Sequence, residues 1–381
     1  MKAIKYTAVA TAVSAALMGG MSVSVNAAEV RTDNRLQITS EDKQFSVRLR
    51  ARVHADANLY QNDEFKHDSG AYIRRARIGV EGHAGDWNYE VTFDNATNAV
   101  DLKDAYLSTK LGPGTILFGQ AKTYEGLETL TSSNAITFIE RSFVGNLTSS
   151  RQVGIRYTGG IESVGYGFNV YSLREASEYG ARAVGTGYGT SGRLFFTPIN
   201  SGGNSLHLGV SYAREYTGDD GERSRVRPAG RSNDERFVVF DRRGEKVDIT
   251  RTNLELAAVM GAFSAQAEYM MGSNSTDTRP DDDFTAWYLQ ASYAFGSPRR
   301  YDANRGRMRA PSAPGTWELA ARYQQAERDI TNQKVNVADF GVTYIANQNV
   351  LYKVNYSKVL KNDQTNDDNT GVIALRAQWA F

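Results

Sequence analysis

The chain has 381 residues, 44 of them basic and 43 acidic, with no cysteine, 35 glycines and only 7 prolines. The lack of cysteine excludes a disulfide framework and a thiolate metal site, and the balanced charge indicates no class of partner, nucleic acid included. Mean hydropathy is −0.48. Beyond the N-terminus no segment approaches the roughly 20 consecutive apolar residues of a membrane helix, so a helical membrane protein is excluded.

The N-terminal segment 1–27 has the features of a secretory signal peptide. Lys2 and Lys5 precede an apolar core over 8–18, and the segment ends in the small-x-small pattern Val-Asn-Ala that is typical of a cleavage site. We therefore expect export and cleavage near Ala27. The alternative is an amphipathic helix at the start of the folded domain.

The remaining chain divides into a polar stretch over 28–43, which predicts a short periplasmic lead-in, and a domain over 44–381. At the start of this domain, residues 44–60 alternate strictly between two faces. Apolar residues occupy one face from Phe45 to Leu59, which is long for a soluble strand but suits a tilted strand that crosses a membrane. The opposite face is polar: Arg48, Arg50, Arg52, His54, Asp56 and Asn58.

The same alternation recurs along the whole domain, and we count about sixteen such segments. It predicts an all-β fold, a transmembrane antiparallel β-barrel that is apolar outside and polar inside. Trp87, Trp317 and Trp379 fall at the ends of strands that would face the periplasm, where an aromatic girdle is expected. A soluble sandwich, which buries its apolar faces between two sheets, is the alternative.

One loop does not follow the strand pattern. Residues 123–150 form the third of the loops on the external side and are too long for a simple connection. Because the loop carries several large apolar side chains, we expect it to fold into the barrel lumen and to set the narrowest point of a pore. The polar residues that would line this constriction are Lys122, Glu125, Glu128, Glu140 and Arg141.

The segment 297–316 is an exception among the connections on the periplasmic side, which are otherwise short. It is long and basic, with five arginines and a single acid, Asp302. Two interpretations stay open: a solvated, disordered turn, or a vestibule that attracts anions.

At this point the chain resembles a known family, the phosphate-selective porin O and P family of Gram-negative outer membranes. The resemblance is carried by YIRRARIGVEGHAGDWNYEVTFD (72–94), LKDAYLSTK (102–110), FGQAKTYEGLETLTSSNAITFIERSF (118–143), GTWELAARY (315–323) and the terminal Phe381. It implies a sixteen-stranded outer-membrane barrel, a homotrimer, a third external loop that constricts the pore, and recognition of Phe381 by the barrel-assembly machinery. It also implies anions guided along arginines.

The predicted lumenal face of the first two strands and the last strand is rich in arginine. First and last strands must pair to close a barrel, since an open edge is not tolerated in lipid. We therefore expect Arg376 to neighbour the arginines of the first strand and to form with them one basic sector. The predicted anion-guiding residues are Arg48, Arg50, Arg52, Arg75, Arg77 and Arg376.

Acidic residues on other lumenal faces oppose this sector. They are Glu90, Asp94, Asp104, Glu255, Glu268, Glu318 and Asp339. The arrangement favours a water-filled channel for small hydrophilic solutes that prefers anions such as phosphate. If the arginines instead pair with the acids, the protein is a general diffusion porin.

Further arginines at alternate positions in an external loop, Arg223, Arg225 and Arg227, would line up on one side of an extended segment and lead towards the pore. The acids interleaved with them make a self-paired, solvated loop an equal alternative.

Other functional classes have little support. The four histidines form no Ser/His/acid arrangement of recognisable spacing, and the sequence contains neither HExxH nor GxSxG, so we expect no enzyme and no cofactor or metal site. A non-conducting adhesin or structural barrel is the third class. The expected partners are outer-membrane lipid and lipopolysaccharide, small anionic or hydrophilic solutes, and two further copies of the chain.

Overall fold

The computed structural model describes residues 29–32, 36–61, 67–97, 99–173, 187–231 and 235–381. The predicted signal peptide lies outside the described residues. No helix in this part of the chain is long and apolar enough to cross a membrane.

Sixteen long strands, β1 to β16, form one closed antiparallel barrel, as the alternation predicted. Each strand pairs with its neighbours in sequence, and β16 pairs with β1. The strands are β1 (Phe45–Gln61), β2 (Gly70–Ala84), β3 (Trp87–Asp94), β4 (Asp101–Leu111), β5 (Gly114–Lys122), β6 (Arg151–Ile161), β7 (Val164–Ser172), β8 (Tyr188–Ser201), β9 (Asn204–Tyr216), β10 (Asp248–Met260), β11 (Phe263–Ser275), β12 (Phe284–Phe295), β13 (Trp317–Arg328), β14 (Gln333–Ile345), β15 (Val350–Asn362) and β16 (Gly371–Ala380).

The two faces of the strands differ sharply in exposure. Large apolar side chains point outward, such as Ile78 at 56% and Phe340 at 57% exposure, whereas inward polar side chains such as Glu255 and Glu318 are almost fully buried. Apolar residues outside and polar residues inside are the reverse of a soluble barrel. The sandwich alternative is therefore wrong.

The barrel closes where β16 meets β1, and the backbone of the terminal Phe381 continues this seam. Its N–H donates to the carbonyl of Ala51 at 3.1 Å, and its own carbonyl accepts from the Ala51 N–H at 3.2 Å. Below the end of β16, the sheet is extended by two short strands, Leu36–Thr39 on β1 and Glu29–Arg31 on Leu36–Thr39. The predicted lead-in is thus partly built into the sheet.

The first described strand residues, from Glu29, and the C-terminal residue Phe381 lie at one end of the barrel, which we call the periplasmic end; the other is the external end. Trp87, Trp317 and Trp379 lie at the periplasmic ends of their strands and are about half exposed, as predicted. Connections at this end are tight turns except for 296–316, whereas the external end carries the long connections 123–150 and 217–247.

These three long connections contain short regular elements of their own. Residues 123–150 include helices α1 (Leu127–Leu130) and α2 (Phe143–Leu147). Residues 217–247 include a two-stranded hairpin, Arg223–Val226 with Phe237–Asp241, and residues 296–316 include another, Arg300–Asp302 with Arg307–Arg309. All three pack inside the barrel, and we call them the internal loop, the outer loop and the periplasmic hairpin.

Candidate functional site

The internal loop (123–150) is held in the lumen by side chains of the far wall, which bond its backbone. Glu268 on β11 accepts from the N–H groups of Leu127 and Glu128 at 2.8 and 2.9 Å. Asn355 on β15 accepts from Ile139 at 2.6 Å. A loop buried away from water must satisfy its backbone groups, and here the barrel wall supplies the partners.

The start of the internal loop is also tied to the wall by charge. The guanidinium of Arg251 on β10 lies 2.8 Å from the carboxylate of Glu125 and 2.9 Å from that of Glu215, and all three side chains are almost fully buried. Within the loop, Glu128 accepts from the backbone and hydroxyl of Ser142 at 2.9 and 2.7 Å, so that the carboxylate joins α1 to α2.

The periplasmic hairpin (296–316) packs inside the lumen as well. Arg299 forms a buried ion pair with Glu318 of β13, and its guanidinium donates to the carbonyl of Ala135 in the internal loop at 2.8 Å. Tyr301 bonds His207 of β9, and Met308 packs with Leu127. The interpretation of this segment as a solvated, disordered turn is therefore wrong.

At the external end, the outer loop (217–247) fills part of the lumen with an apolar cluster. Phe237 and Phe240 of the loop pack against α2 and against inward-facing apolar residues of β10 to β16, among them Phe284 and Val337. Burial of these apolar side chains stabilises the outer loop inside the barrel. Polar lumenal faces near the periplasmic end thus give way to apolar ones near the external end.

The space that these three segments leave free is a main cavity of about 1780 Å³, on the side of β1 to β7 and open towards the periplasmic end. Basic side chains dominate its lining. Fourteen are basic (Arg48, Arg50, Arg52, Arg75, Arg77, Lys110, Lys122, Arg141, Arg151, Arg156, Arg300, Arg305, Arg307 and Arg309), and four are acidic (Glu81, Glu90, Asp104 and Glu162).

The acids of the main cavity that lie on β2 to β4 are all paired. Glu81 lies 2.6 Å from both Arg48 and Arg50, and Glu90 lies 2.7 Å from Arg50. Asp104 accepts two hydrogen bonds from the guanidinium of Arg151, at 2.9 and 3.0 Å. These pairs neutralise only part of the positive charge.

Eight cavity-lining cations have no carboxylate within 4 Å among the described residues. They are Arg52, Arg75, Lys110, Lys122, Arg141, Arg156, Arg300 and Arg305. Where the cations near the internal loop donate hydrogen bonds, their partners are neutral: Arg52 donates to the Ser133 hydroxyl at 2.8 Å, Lys122 and Arg141 donate to loop carbonyls, and Arg75 contacts His54. Arg156 lies over the Tyr124 ring. The cavity therefore presents uncompensated positive charge.

The predicted arginines of β1 and β2 all line this cavity, but Arg376 does not. It lies opposite Asp56 and not beside Arg48, Arg50 and Arg52, so the expected adjacency is wrong. Two bonds of 2.7 Å join its guanidinium to the Asp56 carboxylate, and both side chains are fully buried. Arg376 thus pairs with the first strand at Asp56, four residues beyond Arg52, so the register of these two strands differs from the one that the prediction required.

The five predicted loop residues divide by charge. Lys122 and Arg141 face the main cavity, whereas Glu125, Glu128 and Glu140 do not line it. Glu140 is held by Arg74, which donates at 2.5 and 3.0 Å. Although burial alone would raise it, the pKa of Glu140 lies well below its usual range because of the Arg74 guanidinium.

The three external arginines do not form a common row. The hairpin of the outer loop pairs Arg223 with Asp241 at 3.3 Å and leaves Arg225 exposed, while Val226 is buried. Arg227 lines a small cavity of about 50 Å³ between the outer loop and the internal loop, which we call the outer cavity.

Several functional side chains escaped the sequence analysis. Arg74 lies at a β-bulge, a register shift opposite His54 and Ala55, which turns Arg74 inward beside Arg75. Nothing in the alternation marks this shift. Arg151 and Arg156 lie on β6, the strand that directly follows the internal loop. The alternation of Arg156 with Val153 and Ile155 was a signal that could have placed Arg156 in the lumen, whereas Arg151 has the parity of these apolar residues and the alternation gave no such signal for it.

Sequence comparison gives this geometry a family. The model of the family described as phosphate-selective porin O and P matches residues 47–381. The chain belongs to this family. Porin O of Pseudomonas aeruginosa is 28% identical over 98% of both chains. The protein is therefore an outer-membrane porin, a class of channels and not of enzymes.

Solved structures with the same barrel support this porin fold. The anion-selective porin of Comamonas acidovorans superposes with a TM-score of 0.59 at 14% identity, covering 88% of this porin and all of that chain. The OmpT outer membrane protein of Vibrio cholerae, in its trimer form, gives a TM-score of 0.60 at 12% identity, covering 88% of this chain and 99% of that one.

Proposed function

We propose that this porin is an anion-preferring diffusion channel for small oxyanions such as phosphate. The observation that carries the proposal is the set of eight cavity-lining cations without a carboxylate partner, which includes Arg52, Arg75, Lys122, Arg141 and Arg156 around the internal loop. An anion that enters the main cavity meets guanidinium and ammonium groups whose charge is not neutralised by a neighbouring carboxylate.

The placement of the loop acids supports the same proposal. Glu125 and Glu128 face away from the cavity into buried contacts, and Glu140 is paired with Arg74. The internal loop carries three acids and one base, yet of these four residues it turns only Arg141 towards the main cavity, where Lys122 at the end of β5 joins it. The field at the loop is therefore set by these two cations.

Arginine suits a tetrahedral oxyanion because its planar fork can donate to two oxygens at once. A unit charge 4 Å from an ion is worth about 1 kcal/mol in bulk water and about 4 kcal/mol at an effective dielectric of 20. A few unpaired cations in a partly desolvated cavity are therefore sufficient for selectivity without tight binding, as a channel requires.

The test is single-channel current from purified protein in a planar bilayer. Reversal potential under a potassium chloride gradient gives the ion preference, and titration with inorganic phosphate gives the block. Chloride preference with phosphate block is the expected result. A reversal potential near zero without block would instead indicate a general diffusion porin, and an absence of current would contradict channel function.

We also infer that the protein acts as a homotrimer, surrounded by outer-membrane lipid and lipopolysaccharide, after removal of residues 1–27. The trimer is supported by the shared fold with OmpT in its trimer form. Recognition by the barrel-assembly machinery through the C-terminal strand is supported by the terminal aromatic Phe381, which lies beside Trp379 at the barrel seam.

A further inference from the structure

Two cavities of very different size lie between the described residues of the lumen, one towards the periplasmic end and one towards the external end. The main cavity, of about 1780 Å³, reaches the turns at the periplasmic end. The outer cavity, of about 50 Å³, is lined by the external ends of β1, β2 and β16 and by Arg227 and Arg231 of the outer loop. A solute that crosses the barrel along these cavities passes from one to the other.

Two residues line both cavities, Arg141 and Asn146 of the internal loop. They therefore mark the neck between them. The Arg141 side chain packs against Gly145, since a Cβ added at Gly145 would lie 3.1 Å from Arg141 Cβ and 2.6 Å from a carboxylate oxygen of Glu128. Only a glycine permits this close approach of α2 to Arg141, and the next residue is Asn146.

The two neck residues are held in different ways. Arg141 is fixed, because its guanidinium donates to the carbonyls of Glu128 and Thr131. Asn146 is exposed, and its amide donates only to the backbone carbonyls of Arg141 and Ser142, at 3.3 and 3.0 Å. Asn146 is neutral, so Arg141 is the charged member of this pair.

We propose that Asn146 is a specificity-determining residue of the neck, and that its neutrality leaves the Arg141 guanidinium available to a passing oxyanion. This inference rests on the proposed anion preference. An aspartate at position 146 would put a carboxylate beside Arg141, pair with the guanidinium and cancel the charge of the neck. A lysine there would add a second cation.

The outer cavity also bears on the size of the solute. A cavity needs about 10–15 Å³ of free volume to hold one water. The outer cavity, of about 50 Å³, therefore has room for a few waters or one small oxyanion. The neck and the outer cavity therefore favour an inorganic oxyanion over an organic phosphate of nucleotide size.

The experiment compares Asn146→Asp with Asn200→Asp in planar bilayers. Asn200 lines the main cavity at its periplasmic rim, so the control adds the same charge to the same cavity but away from the neck. We expect Asn146→Asp to raise the inorganic phosphate concentration for half-block about tenfold and to shift the reversal potential towards potassium. Asn200→Asp should change the half-block concentration less than twofold, and Asn146→Lys should lower it.

The outcomes separate this inference from the proposed function. If the wild-type channel itself does not prefer anions, the proposed function fails. If the wild type prefers anions and the two aspartate variants behave alike, the assignment of Asn146 is overturned while the anion preference stands. Should Asn146→Asp fail to fold, Asn146→Lys against Asn200→Lys decides, because equal phosphate block in that pair overturns the assignment as well.

Discussion

Two walls of the same barrel use arginine in opposite ways. On β1 to β6 inward-facing arginines border open space: the Arg48 and Arg50 side chains are 37% and 29% exposed. On β8 to β16 inward-facing arginines are sealed against acids: the side chains of Arg193 and Arg376 are fully buried, and each forms an ion pair with a carboxylate that is also fully buried. We call these the cavity wall and the clamping wall.

The difference shows that charge composition alone does not define a pore. The acids of the clamping wall are engaged in buried contacts. Glu255 pairs with Arg193, Glu318 pairs with Arg299, and Glu268 accepts hydrogen bonds from the backbone of the internal loop. These acids therefore do not balance the cations of the cavity wall, as a simple count of lumenal charges would suggest. They hold the internal loop and the periplasmic hairpin against one side, and the cations of the other side are left facing water.

The largest expected effect comes from breaking the clamping wall. Arg251→Ala leaves Glu125 and Glu215 buried without their cation, and breaking a buried pair in this way costs about 3–5 kcal/mol. Chemical unfolding of detergent-solubilised protein measures the loss. Arg214→Ala on neighbouring β9 is the control, since its pair with Asp248 is exposed and solvent screening leaves such a pair little effect on stability. Equal losses would contradict the clamping role.

On the cavity wall, unpaired and paired arginines should differ in function. Arg52→Gln removes a cation without a carboxylate partner, and we expect the phosphate concentration for half-block to rise about tenfold, the equivalent of about 1.4 kcal/mol. Arg48→Gln, on the same face of the same strand, removes a cation already paired with Glu81. We expect its effect to be several-fold smaller, and a reversed order would contradict this account.

Glu140 is the one acid of the internal loop that clamps to the cavity wall, and its contribution should depend on pH. Because Arg74 lowers the folded-state pKa of Glu140 well below 4.5, the stabilisation is present at neutral pH and is lost as pH falls through that pKa. Glu140→Gln should therefore lower the free energy of unfolding by about 1.5–3 kcal/mol at pH 7. This gap in unfolding free energy between wild type and variant should narrow at acid pH.

Unfolding titrations at pH 7 and at the lowest pH that keeps the barrel soluble would measure this gap. Glu41→Gln, in an exposed turn, provides the baseline and should change stability at neither pH. A gap for Glu140→Gln that stays constant with pH would count against the ion pair with Arg74.

The smallest effect is expected from an acid of the cavity wall. Glu90→Gln weakens one of the two partners of Arg50 and leaves Glu81 in place. More of the Arg50 charge then reaches the cavity, and we expect chloride-over-potassium permeability to rise by about twofold. Bi-ionic reversal potentials resolve such a change, and a fall in permeability ratio would show that Glu90 does not oppose the cavity cations.

Much of the barrel could be predicted from the period of the sequence. Strict alternation placed Arg48, Arg50 and Arg52 on the inner face because strand geometry leaves a side chain only two directions. The same reasoning found the closed sheet of sixteen strands and the lumenal position of His54. These features depend on neighbours in sequence and on one general property, an apolar exterior.

The remainder depends on contacts across the lumen, which no local pattern encodes. Glu268 bonds Leu127, 141 positions away, and whether this acid lines a pore or holds a loop is decided only when the barrel closes. Val335 and Val337 share the inner face of β14 with Asp339, and this apolar pair was a sign that something would cover them. The bulge at Arg74 had no comparable sign.

The apolar cluster beneath the outer loop also has a thermal consequence. It gives the external half of the lumen an interior like that of a water-soluble domain, with Phe237, Phe240 and Phe284 fully or almost fully buried. Exposure of such surface raises heat capacity, and hydrophobic stabilisation weakens on cooling. The outer loop should therefore dock less firmly in the cold, so that temperature acts on the external entrance more strongly than on the cationic cavity below it.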